Sequence, residues 1–168
     1  MPRSSASRLS GRTAEPSIRA AGSGDLDGLA QSGAALFAED GAARDRLRNP
    51  EWPSTFGTQW CADLLANPAA LVLVAVDGDE IVGHLMGTFA EPSAMWTAPR
   101  VELVSMFVRS DCRGQGLGSR LVGEFAAWAR ERGASRLQVS AYAANAGAVR
   151  FYQRQGFVTL STDLAADL

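Results

Sequence analysis

A glycine-rich segment, Arg113-Gly114-Gln115-Gly116-Leu117-Gly118, constrains the fold of this chain more than any other feature. An apolar strand pattern over Val101–Val108 precedes it, and an amphipathic helix pattern begins near Leu117. A backbone without side chains can approach an anion closely, and the first turn of a helix adds unpaired N–H groups and the positive end of the helix dipole. The segment therefore predicts a loop that binds a pyrophosphate, although alternate glycines alone also occur in flexible turns.

Two common nucleotide-binding loops do not fit this segment. A P-loop would continue with Gly-Lys-Ser or Gly-Lys-Thr, and this chain contains no lysine. The dinucleotide-binding fingerprint follows the first strand of its domain, whereas these glycines come late in the chain. Another kind of nucleotide-binding protein stays a distant alternative.

Strand and helix patterns alternate along the chain and predict an α/β fold. The 168 residues suit one domain, which we assign to residues 17–168. Residues 1–16 are predicted to be a disordered tail, with an organelle-targeting peptide as the alternative. The predicted elements are a strand Ile18–Ala21, a helix using Leu26, Leu29, Leu36 and Phe37, an irregular connection Arg44–Thr58, a helix Gln59–Ala66, a hairpin of Leu71–Val76 and Ile81–Phe89, a strand Val101–Val108, a helix ending at Gly133, a strand Arg136–Tyr142, a helix Asn145–Gln155 and a last strand beginning at Phe157–Leu160.

Composition argues against several classes of partner. The 16 basic and 18 acidic residues give a formal charge of -2, which offers no electrostatic reason to bind nucleic acid or an anionic membrane surface. The longest apolar run, Leu71–Val76, is far shorter than the roughly 20 residues that a membrane helix needs. Cys61 and Cys112 lack the spacing of a zinc site or a disulfide framework. We therefore expect a reduced, cytoplasmic protein without a bound metal, whose partner is a small molecule.

A second motif consists of Asn145, then Phe151-Tyr152, then Gly156-Phe157. Taken alone, Tyr152 on this helix is as well explained by packing in the core. Taken with the glycine segment, the motif resembles the GNAT superfamily of N-acetyltransferases, in which Gln or Arg, two residues, Gly, one residue and Gly or Ala follow the fourth strand. Arg113, Gly116 and Gly118 match that pattern, and the resemblance extends over roughly residues 72–157.

The resemblance implies a mixed, mostly antiparallel central sheet with helices on both faces. Its fourth and fifth strands are splayed in the middle and hold acetyl-coenzyme A between them, with Leu137–Ala141 as the second wall. Backbone groups of the loop bind the pyrophosphate, the end of the preceding strand runs beside the pantetheine, and an asparagine contacts the pantetheine arm. The implied cofactor-binding residues are Met106, Phe107, Val108, Arg113, Gly114, Gln115, Gly116, Leu117, Gly118, Ser119 and Asn145.

Two residues are predicted to move protons. The resemblance implies that Tyr152 protonates the departing thiolate, and a phenol with a pKa near 10 suits that task. Glu102 is the candidate base for the amine, because a carboxylate within the apolar strand is costly unless it has a partner or a role. The alternative is that Glu102 lies at an open strand end in contact with water.

Several other residues have mainly structural interpretations. His84, the single histidine, is predicted to pack against the acceptor site rather than to catalyse, and Cys112 to be a small core residue. Four aromatic residues are predicted either to line the acceptor pocket or to belong to the core: Trp52, Phe56, Trp60 and Trp96.

The end of the sequence departs from the family pattern, which closes with a two-stranded hairpin after Gly-Phe. Only residues 157–168 follow here. Either the last strand is missing, leaving an edge that a second subunit of a homodimer covers, or the final residues form a shortened version.

These observations predict an enzyme that transfers the acetyl group of acetyl-coenzyme A to a primary amine of a small molecule such as an antibiotic, an amino acid or a polyamine. Acetylation of a protein N-terminus or lysine is the alternative within the enzyme class. A non-catalytic sensor of acyl-coenzyme A is a more distant one.

Overall fold

The computed structural model describes residues 15–168, and the predicted tail lies outside them except for Glu15 and Pro16. Five strands form one sheet in the order β1-β2-β3-β4-β5. The first four strands pair as antiparallel neighbours, and β4 pairs with β5 in parallel, which confirms the predicted α/β fold with a mixed, mostly antiparallel sheet. The strands are β1 Ser17–Ala20, β2 Ala70–Asp77, β3 Glu80–Ala90, β4 Arg100–Val108 and β5 Arg136–Val139.

Helices cover both faces of this sheet. They are α1 Leu26–Leu36, a π-helical turn Phe37–Gly41, α2 Ala42–Arg44, α3 Trp52–Ala66, α4 Leu117–Glu131 and α5 Ala146–Arg154. On one face Leu29 of α1 and Cys61 of α3 pack against strand residues such as Val74. On the other face Leu121 and Phe125 of α4 form a separate apolar cluster with the sheet. Successive side chains of a strand point to opposite faces of the sheet, so each strand contributes to both clusters.

A β-bulge in β4 opens the sheet next to β5. Met86 pairs with Ser105 and Gly87 with Leu103, so Val104 is an extra residue without a partner on β3. Because one extra residue reverses the alternation, Leu103 joins the cluster under α4 while Ser105 faces α1. The ladder between β4 and β5 also ends at Leu103, after which the two strands separate. The predicted parting of the fourth and fifth strands therefore begins at the bulge.

Three predicted elements differ from the structure. The strand predicted over Arg136–Tyr142 ends at Val139. The connection Arg44–Thr58 is helical from Trp52 onward, because Pro53 lies in the first turn of α3, where a missing N–H costs no helical bond. The last strand beginning at Phe157 does not form, and residues 157–168 contain neither helix nor strand. Val158 and Leu160 are 85% and 65% exposed, so no neighbouring face receives them. Within residues 15–168, β5 is therefore an edge strand.

Candidate active site

The glycine segment forms the loop that joins β4 to α4. Gly114 and Gly116 have φ angles of 74° and 80°, in the left-handed region that residues with side chains avoid. The first helical bond of α4 runs from the Arg120 N–H to the Gly116 carbonyl at 3.0 Å, so the N–H groups of residues 117–119 have no partner within the helix. The loop thus presents free donors at a helix N-terminus, which is the arrangement that a pyrophosphate needs.

Gly118 is required for a different reason from the one that the sequence suggested. A Cβ atom on Gly118 would lie 3.2 Å from the ring of Phe151 and 3.3 Å from the methyl group of Met106. Its absence lets α5 and β4 pack closely against the first turn of α4. The φ angles of Gly114 and Gly116, by contrast, shape the loop itself.

Arginines flank the loop, and acidic side chains hold them. Arg113 pairs with Glu39 at 2.7 Å, and its Nε donates to the Val108 carbonyl at 2.7 Å. The guanidinium of Arg113 keeps the pKa of Glu39 below its usual value. Arg109 and Arg120 also form ion pairs with carboxylates. The arginine side chains therefore brace the loop.

A cavity of about 1360 Å³ lies where β4 and β5 separate. Val104 and Ser105 line it from β4, and residues 137–141 line it from the side of β5, where the second wall was predicted. Residues 156–163 border it after α5. We call the side formed by α1, the π-helical turn and α3 the acceptor wall; it consists of Gly33, Leu36, Phe37, Asp40, Gly41, Trp52 and Trp60.

The four candidate aromatic residues divide between the cavity and other places. Trp52 and Trp60 belong to the acceptor wall, with their ring centroids 5.8 Å apart. Phe56 is 53% exposed outside the cavity, and Trp96 packs against the guanidinium of Arg100 at 4.3 Å. The acceptor wall is therefore partly aromatic.

Tyr152 reaches the cavity from α5. Its ring packs edge-on against Phe157, with centroids 5.5 Å apart, and its hydroxyl oxygen lies 3.9 Å from the Met106 sulfur. Burial, together with the negative charge of Asp40, raises the pKa of Tyr152 to about 12. That is higher than the value near 10 of an unperturbed phenol. The phenol therefore holds its proton throughout the neutral range.

Asn145 caps α5 and connects it to the acceptor wall. Its Oδ1 accepts a hydrogen bond from the Ala148 N–H at 3.0 Å, and its Nδ2 donates to Asp40 Oδ1 at 2.8 Å. Asp40 also pairs with Arg44. We call residues 113–118 the phosphate loop, after their predicted ligand. Glu39 and Asp40, which we call the carboxylate clasp, thus join the π-helical turn to the phosphate loop and to α5, respectively.

The predicted base lies apart from this group. Glu102 precedes the bulge, pairs with Thr88 and Gln138 across the sheet, and is exposed. The residues that line the cavity do not include it, whereas they include Tyr152. The lining also omits the predicted cofactor-binding residues 106–108, 113–119 and Asn145, so their roles and that of Glu102 stay predictions.

His84 is fully buried between two serines. Its Nδ1 lies 2.7 Å from the Ser32 Oγ, and its Nε2 lies 2.8 Å from the Ser105 Oγ. Burial lowers the pKa of His84 to about 4, so the ring is neutral at physiological pH. His84 therefore packs beside the cavity wall through a polar network.

Sequence reasoning missed Asp40, Ser105 and the part of the cavity bordered by residues 156–163. Asp40 lies in a π-helical turn, which has no simple sequence period. Ser105 faces the cavity only because the Val104 bulge reverses the alternation of β4. A polar residue in the middle of an apolar strand was the one signal available for Ser105.

Other features of the described residues bear on what can bind here. Cys61 and Cys112 are free thiols, both buried, and burial raises their pKa values. Within residues 15–168, no three His, Cys, Asp or Glu side chains are grouped as a metal site would require. None of the helices in this part of the chain is both long and apolar enough to span a membrane.

The fold and the site together define a class of protein, an α/β domain with a glycine-rich loop at a helix N-terminus and a cleft between two parted strands. The chain belongs to the acetyltransferase (GNAT) family, whose family model matches residues 41–157. The match includes β2 to β5, the glycine loop and the whole of α5. It confirms the resemblance seen in the sequence.

One curated relative matches part of the chain. The streptothricin acetyltransferase of Streptomyces lavendulae is 34% identical over 100 residues, which cover 60% of this chain and 50% of that protein. The chain therefore spans about half the length of this curated relative.

Solved structures match over nearly the whole chain. A protein from Bacillus halodurans C-125 described as a transcriptional regulator is 29% identical, with a TM-score of 0.72 and coverage of 91% of this chain and 99% of that one. An aminoglycoside 6'-N-acetyltransferase from Acinetobacter haemolyticus is 18% identical, with a TM-score of 0.71 and coverage of 90% and 97%. At that identity the second likeness concerns the fold alone.

Proposed function

We propose that this protein transfers the acetyl group of acetyl-coenzyme A to a primary amine of a small molecule of the antibiotic, amino acid or polyamine class. The observation that carries the proposal is the Tyr152 side chain, which keeps its hydroxyl proton and lines the same cavity as the acceptor wall. The name of the streptothricin acetyltransferase supports a small amine as the acceptor.

The loop residues fit the cofactor by their geometry. Backbone N–H groups from Arg113 to Ser119 hold the pyrophosphate, and the backbone of Met106, Phe107 and Val108 borders the pantetheine. Asn145, at the cap of α5, contacts the pantetheine arm. Acetyl-coenzyme A supplies a thioester, whose carbonyl an amine attacks.

Proton transfer is assigned to two groups. Tyr152 donates its proton to the departing thiolate sulfur, which the raised pKa of the phenol permits only where that sulfur is itself in a dry environment. Glu102, or a chain of water molecules leading to it, receives the proton that the attacking amine must lose. The exposure of Glu102 gives it a direct route to solvent.

The acceptor wall suits a cationic amine with an apolar part. Asp40 supplies a carboxylate and the tryptophans supply aromatic surface. Arg48 and Arg136 also line the cavity, so its charged groups are not uniformly acidic. This balance favours an acceptor of modest charge.

A panel of amines tests the proposal. The protein is incubated with acetyl-coenzyme A and each amine, and both free thiol and the acetylated product are measured, the latter by mass spectrometry. Tertiary-amine analogues are the matched control, because they cannot form a stable amide. A peptide N-terminus and a peptide lysine belong to the same panel.

The outcomes separate the alternatives. Thiol release with a small primary amine supports the proposal, and release with the peptides alone would replace the acceptor class. Tight binding of coenzyme A without thiol release for any amine would indicate a sensor instead of an enzyme.

A further inference from the structure

Three polar side chains form a buried row from α1 through β3 to β4. Ser32, His84 and Ser105 are 8%, 0% and 7% exposed, in that order. The two contacts between them measure 2.7 and 2.8 Å. Burying polar groups among apolar neighbours costs free energy even when they are hydrogen-bonded, and hydrophobic packing gives no reason for the row. The row meets the cavity at Ser105, which is where a functional role would account for this cost.

Because the ring of His84 is neutral, its two nitrogens have different roles in the hydrogen bonds of the row. A neutral imidazole has one N–H donor and one bare nitrogen acceptor. If Nδ1 holds the hydrogen, it donates to the Ser32 oxygen, and Nε2 accepts the hydroxyl proton of Ser105. The lone pairs of the Ser105 oxygen are then left to accept a hydrogen bond from a donor in the cavity. Burial accounts for the neutral form of the ring, because it lowers the pKa of His84.

We infer that the Ser105 hydroxyl accepts an N–H of the acceptor amine and thereby orients it, and that His84 and Ser32 hold the hydroxyl in the required direction. The inference rests on the proposed function of the same cavity. Ser105 is the residue that contacts substrate, and His84 is a positioning residue that acts through it.

The bulge places Ser105 and Tyr152 on opposite sides of β4. Ser105 faces α1, whereas the next residue, Met106, faces α5 and contacts the Tyr152 hydroxyl. An amine held at Ser105 therefore approaches from the side of β4 opposite to the proton donor. That arrangement suits a reaction in which one group attacks the thioester carbonyl while another protonates the leaving sulfur.

Kinetics on four variants test the inference. Ser105→Ala is expected to lower kcat/KM for the amine by about 5- to 30-fold, as the loss of one orienting hydrogen bond predicts, with the Kd of coenzyme A unchanged. His84→Gln places an amide near the Nε2 position and should retain most activity. His84→Asn places it near Nδ1, loses the contact with Ser105 and should behave like Ser105→Ala. Ser54→Ala, at an exposed site on α3, is the control and should match the wild type.

A purely structural row would give a different pattern. All three variants at Ser105 and His84 would then lower Tm, while kcat/KM for the amine stayed at the wild-type value and Gln and Asn at residue 84 were indistinguishable. That pattern would overturn the inference.

The single histidine gives a readout that does not depend on activity. With ¹⁵N-labelled histidine, NMR should show one neutral tautomer, with hydrogen on Nδ1, from about pH 5 to 8. Ser105→Ala should shift the Nε2 resonance and leave Nδ1 nearly unchanged. Titration of His84 near pH 6.5, or hydrogen on Nε2, would refute this orientation of the hydrogen bonds. Absence of product with every amine would instead refute the proposed function and, with it, the binding of an amine at Ser105. The NMR result would still show which nitrogen of His84 carries the hydrogen.

Discussion

The phosphate loop and the acceptor wall are two regions of the candidate site, and they depend on different features of the chain. Backbone torsion angles shape the loop, where Gly114 and Gly116 have positive φ and the free N–H groups belong to the main chain. Side chains shape the acceptor wall, where Asp40, Trp52 and Trp60 face the cavity. A site made by backbone geometry restricts the sequence strongly, so it can be recognised from the sequence. A site made by side chains can change its ligand through single substitutions.

Substitution of Tyr152 should have the largest effect on turnover, because its hydroxyl is the proposed proton donor in the reaction between cofactor and acceptor. Tyr152→Phe keeps the ring against Phe157 and removes only the hydroxyl. We expect kcat to fall by about 10²- to 10⁴-fold, as for a positioned general acid, with little change in the Kd of coenzyme A. Steady-state kinetics and calorimetry measure the two quantities. Full turnover with a lowered Tm would assign Tyr152 to the core alone.

His84 tests whether the acceptor side depends on a buried polar network. Its pKa is lowered from 6.5 to about 4, so between these values the unfolded chain binds a proton that the folded chain does not. The free energy of unfolding should therefore decrease as pH falls from about 6.5 to 4, by up to about 3 kcal/mol, and be fully restored above about pH 6.5.

Urea unfolding at several pH values measures this slope, and His84→Gln should abolish it. Three carboxylates have lowered pKa values and add a loss in both proteins, Glu39 below about pH 4.5 and Asp25 and Asp111 below about pH 3.8. Equal slopes in the wild type and the variant between pH 6.5 and 4 would contradict the buried, neutral ring.

Substitution of a loop glycine tests whether backbone geometry determines the binding of coenzyme A. Gly116→Val forces a branched side chain into a left-handed conformation, so we expect the affinity for coenzyme A to fall by more than about tenfold, or about 1.4 kcal/mol. Gly123→Val is the control, because Gly123 lies on α4 with open space around its Cβ position and without a positive φ. Calorimetry of both variants gives the answer. Equal affinity in the two would show that the loop geometry does not matter for binding.

Glu39 should give the smallest effect, because its ion pair with Arg113 is about half exposed. Glu39→Gln removes a negative charge beside the predicted pyrophosphate site and frees Arg113. We expect coenzyme A to bind more tightly, by up to about fivefold, which corresponds to the roughly 1 kcal/mol of a surface ion pair. Asp27→Asn, an equal change of charge on α1, should leave the affinity unchanged. Weaker binding in Glu39→Gln would mean that the pair is needed to hold the loop.

Local rules predicted much of the fold. Asn145 caps α5 through the Ala148 N–H, and Gly133 and Gly156 end their helices with positive φ, because caps follow from single residues. The hairpin of β2 and β3 was predicted within one residue at each end, since its turn residues and apolar runs are explicit. The start of α3 was missed because Trp52 and Pro53 resemble loop residues until packing on the sheet is known.

The candidate site was less predictable wherever tertiary structure decides the neighbours. The bulge at Val104 depends on how β3 pairs with β4, and it determines that Ser105 faces the cavity. The contact between Asp40 and Asn145 joins residues that are far apart in the chain, which no local pattern encodes. The residues of the phosphate loop, by contrast, are consecutive, and their spacing alone indicated an anion-binding loop.

The π-helical turn makes the carboxylate clasp depend on chain length as well as on composition. A π-helical turn contains one residue more than an α-helical turn, as a one-residue insertion would produce. Deleting Ala38 would restore an α-helical path and rotate the residues on one side of the deletion by about 100° relative to the other. Glu39 and Asp40 would still be adjacent and acidic, yet they would no longer point at Arg113 and Asn145. Variation in length at this one turn is therefore a route by which related chains can gain or lose the connection without changing either carboxylate.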